Sequence, residues 1–223
     1  MKLRLMISTV CIASIGIAGC ASQVTPPDEY SGFLSDYSQL KEAKSPSGVE
    51  VMRWVDPQLD LRRYNAVYIE PTQFYPKPQA TSKIPDSTLR GINDYYNQAL
   101  KRELTKSMPL ANAPGPGVIV VRAAITAVSS KTESLKPYEY VPVALVAAAV
   151  STGAGIRDQE TTLGTEAQFL DGANNKVIAQ VVRRGTGKPL KNDTQVMKAD
   201  DVKSVIDGWA SDLHQSFAKL KKP

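Results

Sequence analysis

The sequence is poor in the two residue types that most often build metal sites and disulfide frameworks. It contains two cysteines and one histidine among 223 residues. A disulfide-stapled domain needs several paired cysteines, and a histidine-rich metal site needs several imidazoles. Both classes of protein are therefore excluded, and we expect neither a metal nor another cofactor.

No apolar run in the sequence is long enough to span a bilayer as a helix, which takes about 20 residues. The N-terminal run, residues 5–18, is shorter, is interrupted by polar residues and follows Lys2 and Arg4. A positive start, a short apolar stretch and small residues before a cysteine are typical of a secretory signal. We predict that residues 1–19 form a signal peptide.

The end of this segment, Ile17-Ala18-Gly19-Cys20, resembles the bacterial lipobox. In that motif the cysteine thiol takes a diacylglyceryl group, and the small residues let the signal peptidase reach the Gly19–Cys20 bond. Several acyl chains, at about 0.8 kcal/mol per buried methylene, hold a protein on a membrane far more firmly than one. Ala21 stands where an aspartate would favour the inner membrane, so we expect a lipid anchor on the periplasmic face of the outer membrane.

The charge balance of the chain is modest. Its formal charge is +5, and cleavage after Gly19 would remove the cations Lys2 and Arg4 together with Cys11. A small, scattered positive excess gives no indication of nucleic-acid binding. Because Cys20 would carry lipid, no free thiol would be left for a disulfide or for thiolate catalysis.

Beyond the signal peptide, the pattern predicts a lipidated segment over residues 20–47 and a single α+β domain over residues 48–223. Residues 21–29 are polar and contain Pro26 and Pro27, which indicates an extended tether. Residues 30–43 are too apolar for a free tether. We expect them to pack on the domain as an arm.

Periodic apolar positions predict two helices, over residues 86–108 and 200–220, with Trp209 at the centre of the second apolar stripe. Apolar runs and alternations predict strands over residues 49–55, 64–70, 118–128, 161–170 and 176–184. Residues 171–175 supply the turn of a hairpin between the last two strands. The order β-β-α-β-β-β-α favours an α+β fold, with two helices on one face of a largely antiparallel sheet.

One apolar segment, residues 141–154, stands out in the mature chain and reads VPVALVAAAVSTGA. It is too short to cross a bilayer, so a buried core segment or short helix is one interpretation. Small residues such as Ala148 and Gly153 would also let another helix pack closely, which makes a partner surface or self-association a second interpretation. Insertion beside the lipid anchor is a third.

The sequence contains no recognised catalytic motif of the zinc-peptidase, serine-hydrolase or paired-cysteine type. Arg183, Arg184 and Lys188 form a small basic cluster that would suit a partner surface or lipid headgroups. His214 is predicted to lie on the surface of the C-terminal helix. These features provide no catalytic constellation.

Several short motifs stand out besides the lipobox: SGFLSDYSQL at residues 31–40, WVDP at residues 54–57, YNAV at residues 64–67 and Asp171-Gly172. With these motifs the chain resembles an uncharacterised family of proteobacterial lipoproteins, domain of unknown function family 3313. The resemblance implies an envelope lipoprotein with no established activity. Cys20 is the one functional residue that the resemblance carries over.

The leading hypothesis is a non-enzymatic binding or assembly factor that faces the periplasm and has an envelope protein, or a second copy of itself, as partner. The alternative is a hydrolase of cell-wall or lipid material, whose carboxylates would be Asp60, Glu70 or Glu166. Two of them would then have to meet in a cleft at about 5–9 Å. A small-ligand carrier with an apolar cavity is a further possibility.

Overall fold

The computed structural model describes residues 24–132 and 159–221, so Gly19, Cys20, Ala148 and Gly153 lie outside the described residues. The strands and helices of the described residues are β1 (Lys41–Lys44), β2 (Glu50–Val55), β3 (Ala66–Ile69), β4 (Gln73–Phe74), α1 (Asp86–Leu104), β5 (Val118–Thr132), β6 (Gln159–Asp171), β7 (Val177–Thr186) and α2 (Lys203–Leu220). None of these helices is long and apolar enough to span a membrane.

The strands form one mixed sheet in the order β1-β2-β7-β6-β5-β3, and β4 also pairs with β5. β3 and β4 run parallel to β5, and the other pairs are antiparallel. The predicted α+β class is confirmed. Two short strands, β1 and β4, were not predicted, because four and two residues are too few to show a period of their own.

Both helices pack on the same face of the sheet. Alternate residues of β5 point to that face, because side chains alternate across a strand. The shared core includes Ile119, Val121, Ala123 and Ile125 of β5 together with Leu89, Ile92, Tyr96, Leu100 and Leu104 of α1 and Ile206, Trp209 and Phe217 of α2. The predicted apolar faces of the two helices are therefore the ones that the fold buries.

The helix ends differ from the predicted bounds. α1 ends at Leu104, four residues early, and the Thr105 hydroxyl lies 2.9 Å from the Lys101 carbonyl, to which it donates. α2 begins at Lys203, because a 3-10 turn over Ala199–Asp201 precedes it. The Lys198 amide donates to the Asp201 carboxylate at 2.8 Å and closes that turn.

The opposite face of the sheet carries the arm, which we define from here on as residues 30–40. Leu34 and Leu40 of the arm form a second buried cluster with Val182 of β7. The rings of Tyr30 and Tyr37 stack at a centroid distance of 4.6 Å. The arm therefore packs on the domain, and its continuation, β1, joins the edge of the sheet.

Candidate functional site

The centre of the arm face is a buried carboxylate. Glu166 lies in the middle of β6, opposite Val182, and is only 1% exposed. Its Oε1 accepts the Ser31 amide at 2.8 Å, and its Oε2 accepts the Tyr37 hydroxyl at 2.6 Å. A buried carboxylate is tolerated when donors of this kind surround it. Glu166 therefore fastens the arm to the sheet.

The tyrosines above Glu166 are held in their neutral, hydrogen-donating form. Burial, followed by the hydrogen bond to Glu166 and its negative charge, raises the pKa of Tyr37 to about 12. Burial and the same charge also raise the pKa of Tyr30. Both effects disfavour a second negative charge next to a carboxylate.

Further contacts hold the start and the middle of the arm. Before it, the Glu29 carboxylate forms an ion pair with Arg184 near the end of β7, and the two side chains are 11% and 14% exposed. Within it, the Asp36 carbonyl accepts the side-chain amide of Gln180 at 3.0 Å. The chain is therefore held against the domain from Thr25 onward, within the range 21–29 that the sequence predicted as an extended tether. Thr25 is 7% exposed, and a 3-10 turn over Pro27–Glu29 leads into the arm.

The predicted basic cluster does not form one surface. Arg183 and Arg184 are adjacent in β7, so their side chains point to opposite faces of the sheet. Arg184 faces the arm, whereas Arg183 is 8% exposed and meets Asp212 of α2 at 3.2 Å. Lys188 lies beyond the strand, where its amide donates to the Asp201 carbonyl at 2.7 Å.

Arg183 and Asp212 belong to a buried network that the sequence did not reveal. Asp212 also accepts the amide and the hydroxyl of Ser47, at 2.9 and 3.0 Å, so it joins α2 to β7 and to the β1–β2 turn. Burial lowers the pKa of Arg183, and the negative charge of Asp212 opposes that shift. The signal in the sequence was an aspartate three residues after Trp209, on the buried side of the helix.

The three carboxylates of the hydrolase hypothesis each have a different partner. The Asp60 carboxylate forms an ion pair with Arg62 at 2.8 Å. The Glu70 carboxylate forms a bidentate pair with Arg122, accepting two hydrogen bonds from its guanidinium at 2.7 and 2.8 Å. Glu166 holds the arm. Among the described hydrogen bonds no two of these carboxylates share a partner, and the described residues contain no group of acidic, histidine and cysteine side chains that could hold a metal.

His214 is partly buried, and its Nδ1 lies 2.7 Å from the Ser107 hydroxyl just beyond α1. A serine nucleophile needs, besides a base, a group that orients the second ring nitrogen and donors for an oxyanion. The hydrogen bonds described for residues 24–132 and 159–221 place no orienting group at His214. The pair therefore links the end of α1 to the C-terminal half of α2.

Residues 29–213 match the model of a family described as a protein of unknown function, DUF3313. The chain belongs to this family, as the resemblance in the sequence indicated, and the matched region begins at the residue that pairs with Arg184. The chain is 40% identical over 198 residues to the uncharacterized lipoprotein YdcL of Escherichia coli strain K12, covering 89% of each chain. The YdcL protein of Escherichia coli O157:H7 matches equally well.

Solved structures show only a distant likeness of fold. The minor lipoprotein from Acinetobacter baumannii is 14% identical, and the match covers 72% of this chain and 95% of that chain with a TM-score of 0.40. Protein XCC0632 from Xanthomonas campestris is 12% identical, covering 74% and 90%, also with a TM-score of 0.40. The family and the YdcL relatives support a lipoprotein of unknown function, and their names state no enzymatic activity.

Proposed function

We propose that the protein is anchored through lipidated Cys20 to the periplasmic face of the outer membrane and acts there as a non-enzymatic binding or assembly factor. The lipobox and Ala21 support the anchor and its location. The lipoprotein relatives support the same class of protein. The remaining support comes from how the domain uses its acidic side chains.

The proposal that the protein is not an enzyme is supported by the hydrogen bonds that its buried carboxylates already accept from other parts of the chain. Both oxygens of Glu166 accept hydrogen bonds from the arm, and Asp212 accepts hydrogen bonds from Arg183 and Ser47. A general acid or base has to meet the substrate proton directly or through one water. Carboxylates engaged in this way hold chain segments together, as expected of a rigid platform that presents its surface to a partner.

The binding role is tested with the lipidated full chain in intact Gram-negative cells. We expect short-range chemical cross-linking to produce discrete species larger than the monomer, containing either an envelope protein or a second copy. Purified protein should leave peptidoglycan and phospholipid substrates intact. A monomer as the sole cross-linked product, or hydrolysis of either substrate, would contradict the proposal.

The anchor is tested by Cys20→Ser. A hydroxyl is a much weaker nucleophile than a thiol, so we expect loss of palmitate labelling and accumulation of the unprocessed precursor. Cys11→Ser is the matched control, because Cys11 lies in the segment that is cleaved away and should leave labelling unchanged. Labelling of Cys20→Ser equal to that of the parent protein would end the lipoprotein interpretation.

A further inference from the structure

The segment between the lipid anchor and the folded body is short. Thr25, which is buried, is five residues beyond Cys20, and an extended chain covers at most about 3.6 Å per residue, so the two are no more than about 18 Å apart. Four residues later, Glu29 forms the ion pair with Arg184. The body of the protein therefore starts close to the bilayer surface.

The arm also shows the direction from which the chain arrives. Glu29 contacts Arg184, Ser31 contacts Glu166 beside Val182, and Asp36 contacts Gln180. The arm thus runs antiparallel to β7, from the strand's C-terminal end towards its start. The preceding residues enter from the end of the sheet where Thr186 closes β7.

The two ends of the sheet are far apart. β7 has ten residues, Val177–Thr186, which span about 33 Å at about 3.3 Å per residue. We call the end of the sheet at Thr186 the near end. It also contains the β1–β2 turn, because Met52 of β2 pairs with Val182 and the turn precedes Met52 in the chain. The far end holds the β6–β7 hairpin turn around Ala173.

We propose that the near end of the sheet is a docking surface for the phospholipid headgroup layer, so that the domain sits on the bilayer in one orientation. This inference rests on the proposed lipidation of Cys20. The linker between Cys20 and Thr25 and the Glu29–Arg184 pair hold the near end within reach of the headgroups, whereas the hairpin end lies about 33 Å farther along the sheet. The hairpin end and the helix C-termini then face the periplasm.

The orientation is measured by energy transfer from a dye on the protein to labelled headgroups. Cys11 is lost with the signal and Cys20 is alkylated by lipid, so an introduced cysteine is the single free thiol. Lys191→Cys marks the near end, because the adjacent Leu190 bridges to Gln159 at the outer end of β6. Ala173→Cys marks the far end. In vesicles of phosphatidylethanolamine and phosphatidylglycerol, we expect several-fold higher transfer efficiency from position 191 than from position 173.

Two further variants, one of the linker between Cys20 and Thr25 and one of the Glu29–Arg184 pair, serve as controls. An insertion of about 15 glycine and serine residues after Ser22 adds a flexible coil and should lower transfer from position 191 and bring the two positions together. Arg184→Gln should reduce the difference partially while thermal unfolding reports whether the domain is intact. Three results would overturn the proposal: equal transfer efficiency from both positions with the native linker, low transfer efficiency from both, or transfer efficiencies that the insertion leaves unchanged.

Flotation separates the two proposals. If the full chain takes up no palmitate and fails to float with the vesicles, the proposed anchor is wrong, and the orientation is wrong with it. If the chain floats and is labelled but the two dye positions report equal transfer, the orientation alone is wrong. If the difference in energy transfer between positions 191 and 173 requires a second protein and not the vesicles, the near end contacts that protein instead of the bilayer.

Discussion

At the scale of single residues, two buried acids connect parts of the chain that are distant in sequence. Glu166 holds Ser31 and Tyr37, which lie more than 120 residues away along the chain. Asp212 holds Ser47 at a separation of 165 residues. An interaction in a buried site gains strength because water competes for it less, and its loss leaves a charged group without compensation.

The Arg183–Asp212 pair should be far more important for stability than an exposed pair on the same helix. Asp212→Asn leaves the buried Arg183 guanidinium without its counter-charge, and breaking a buried pair in this way costs about 3–5 kcal/mol. Asp207→Asn, which removes the exposed partner of Arg102, should cost about 1 kcal/mol or less. Urea unfolding of both variants measures the difference, and equal destabilisation would contradict the role of burial.

The Tyr37 phenol should make the protein sensitive to alkali. Its folded pKa is about 12 against an ordinary 10.0, so its contribution to stability is complete below pH 10 and is lost as the pH rises towards 12. Tyr37→Phe should flatten that decline in unfolding free energy, and it should also lower stability at neutral pH by about 1–3 kcal/mol because Glu166 loses a donor. Tyr75→Phe, on an exposed ring, is the control and should do neither.

At the scale of elements, the helices follow their periodic apolar faces, whereas their ends depend on local hydrogen bonds. The close packing of α2 on β7 shows how tightly the sheet constrains the helix. A Cβ atom added to Gly185 would lie 2.6 Å from Val205 and 3.1 Å from the Trp209 ring. Gly185 therefore leaves room for the close approach of the helix to the strand.

Trp209→Ala should destabilise the domain by about 3–5 kcal/mol, the usual cost of removing a large buried aromatic side chain. Trp209 is 8% exposed and belongs to the main core. Leu220→Ala, at a position that is 46% exposed at the end of the same helix, should change stability little. Calorimetry measures both, and an unchanged melting temperature for Trp209→Ala would show that this helix face does not support the fold.

At the scale of the whole molecule, the sheet separates two differently covered faces, with the helices on one and the arm on the other. The chain leaves β5 and enters β6 at the near end of the sheet. Thr132 and Gln159 pair with each other there, and the chain from 133 to 158, with the apolar residues 141–154, starts and returns at that end. The arm arrives at the same end of the sheet.

For the apolar segment itself, the prediction from the sequence stands as a proposal: burial in the core or in a contact between subunits. Ala148→Asp would place a charge in an apolar environment, so we expect either unfolding and degradation or, if the segment lies between subunits, a smaller species on gel filtration. Ala173→Asp, in the exposed hairpin turn, is the control. Lipid-free protein that binds vesicles and loses this binding through Ala148→Asp would contradict burial.

The sequence by itself determined the membership of the family, the α+β class, the buried faces of both helices and the packing of the arm. These follow from composition, from short motifs and from periods of two and 3.6 residues, all of which are local. Tertiary structure alone decided the partners of buried charges, which of Arg183 and Arg184 meets a helix and which meets the arm, and the attachment of the chain from Thr25. These pairings join residues 29 to 165 positions apart, and a strand's alternation does not reveal which face will meet a helix and which will meet the arm.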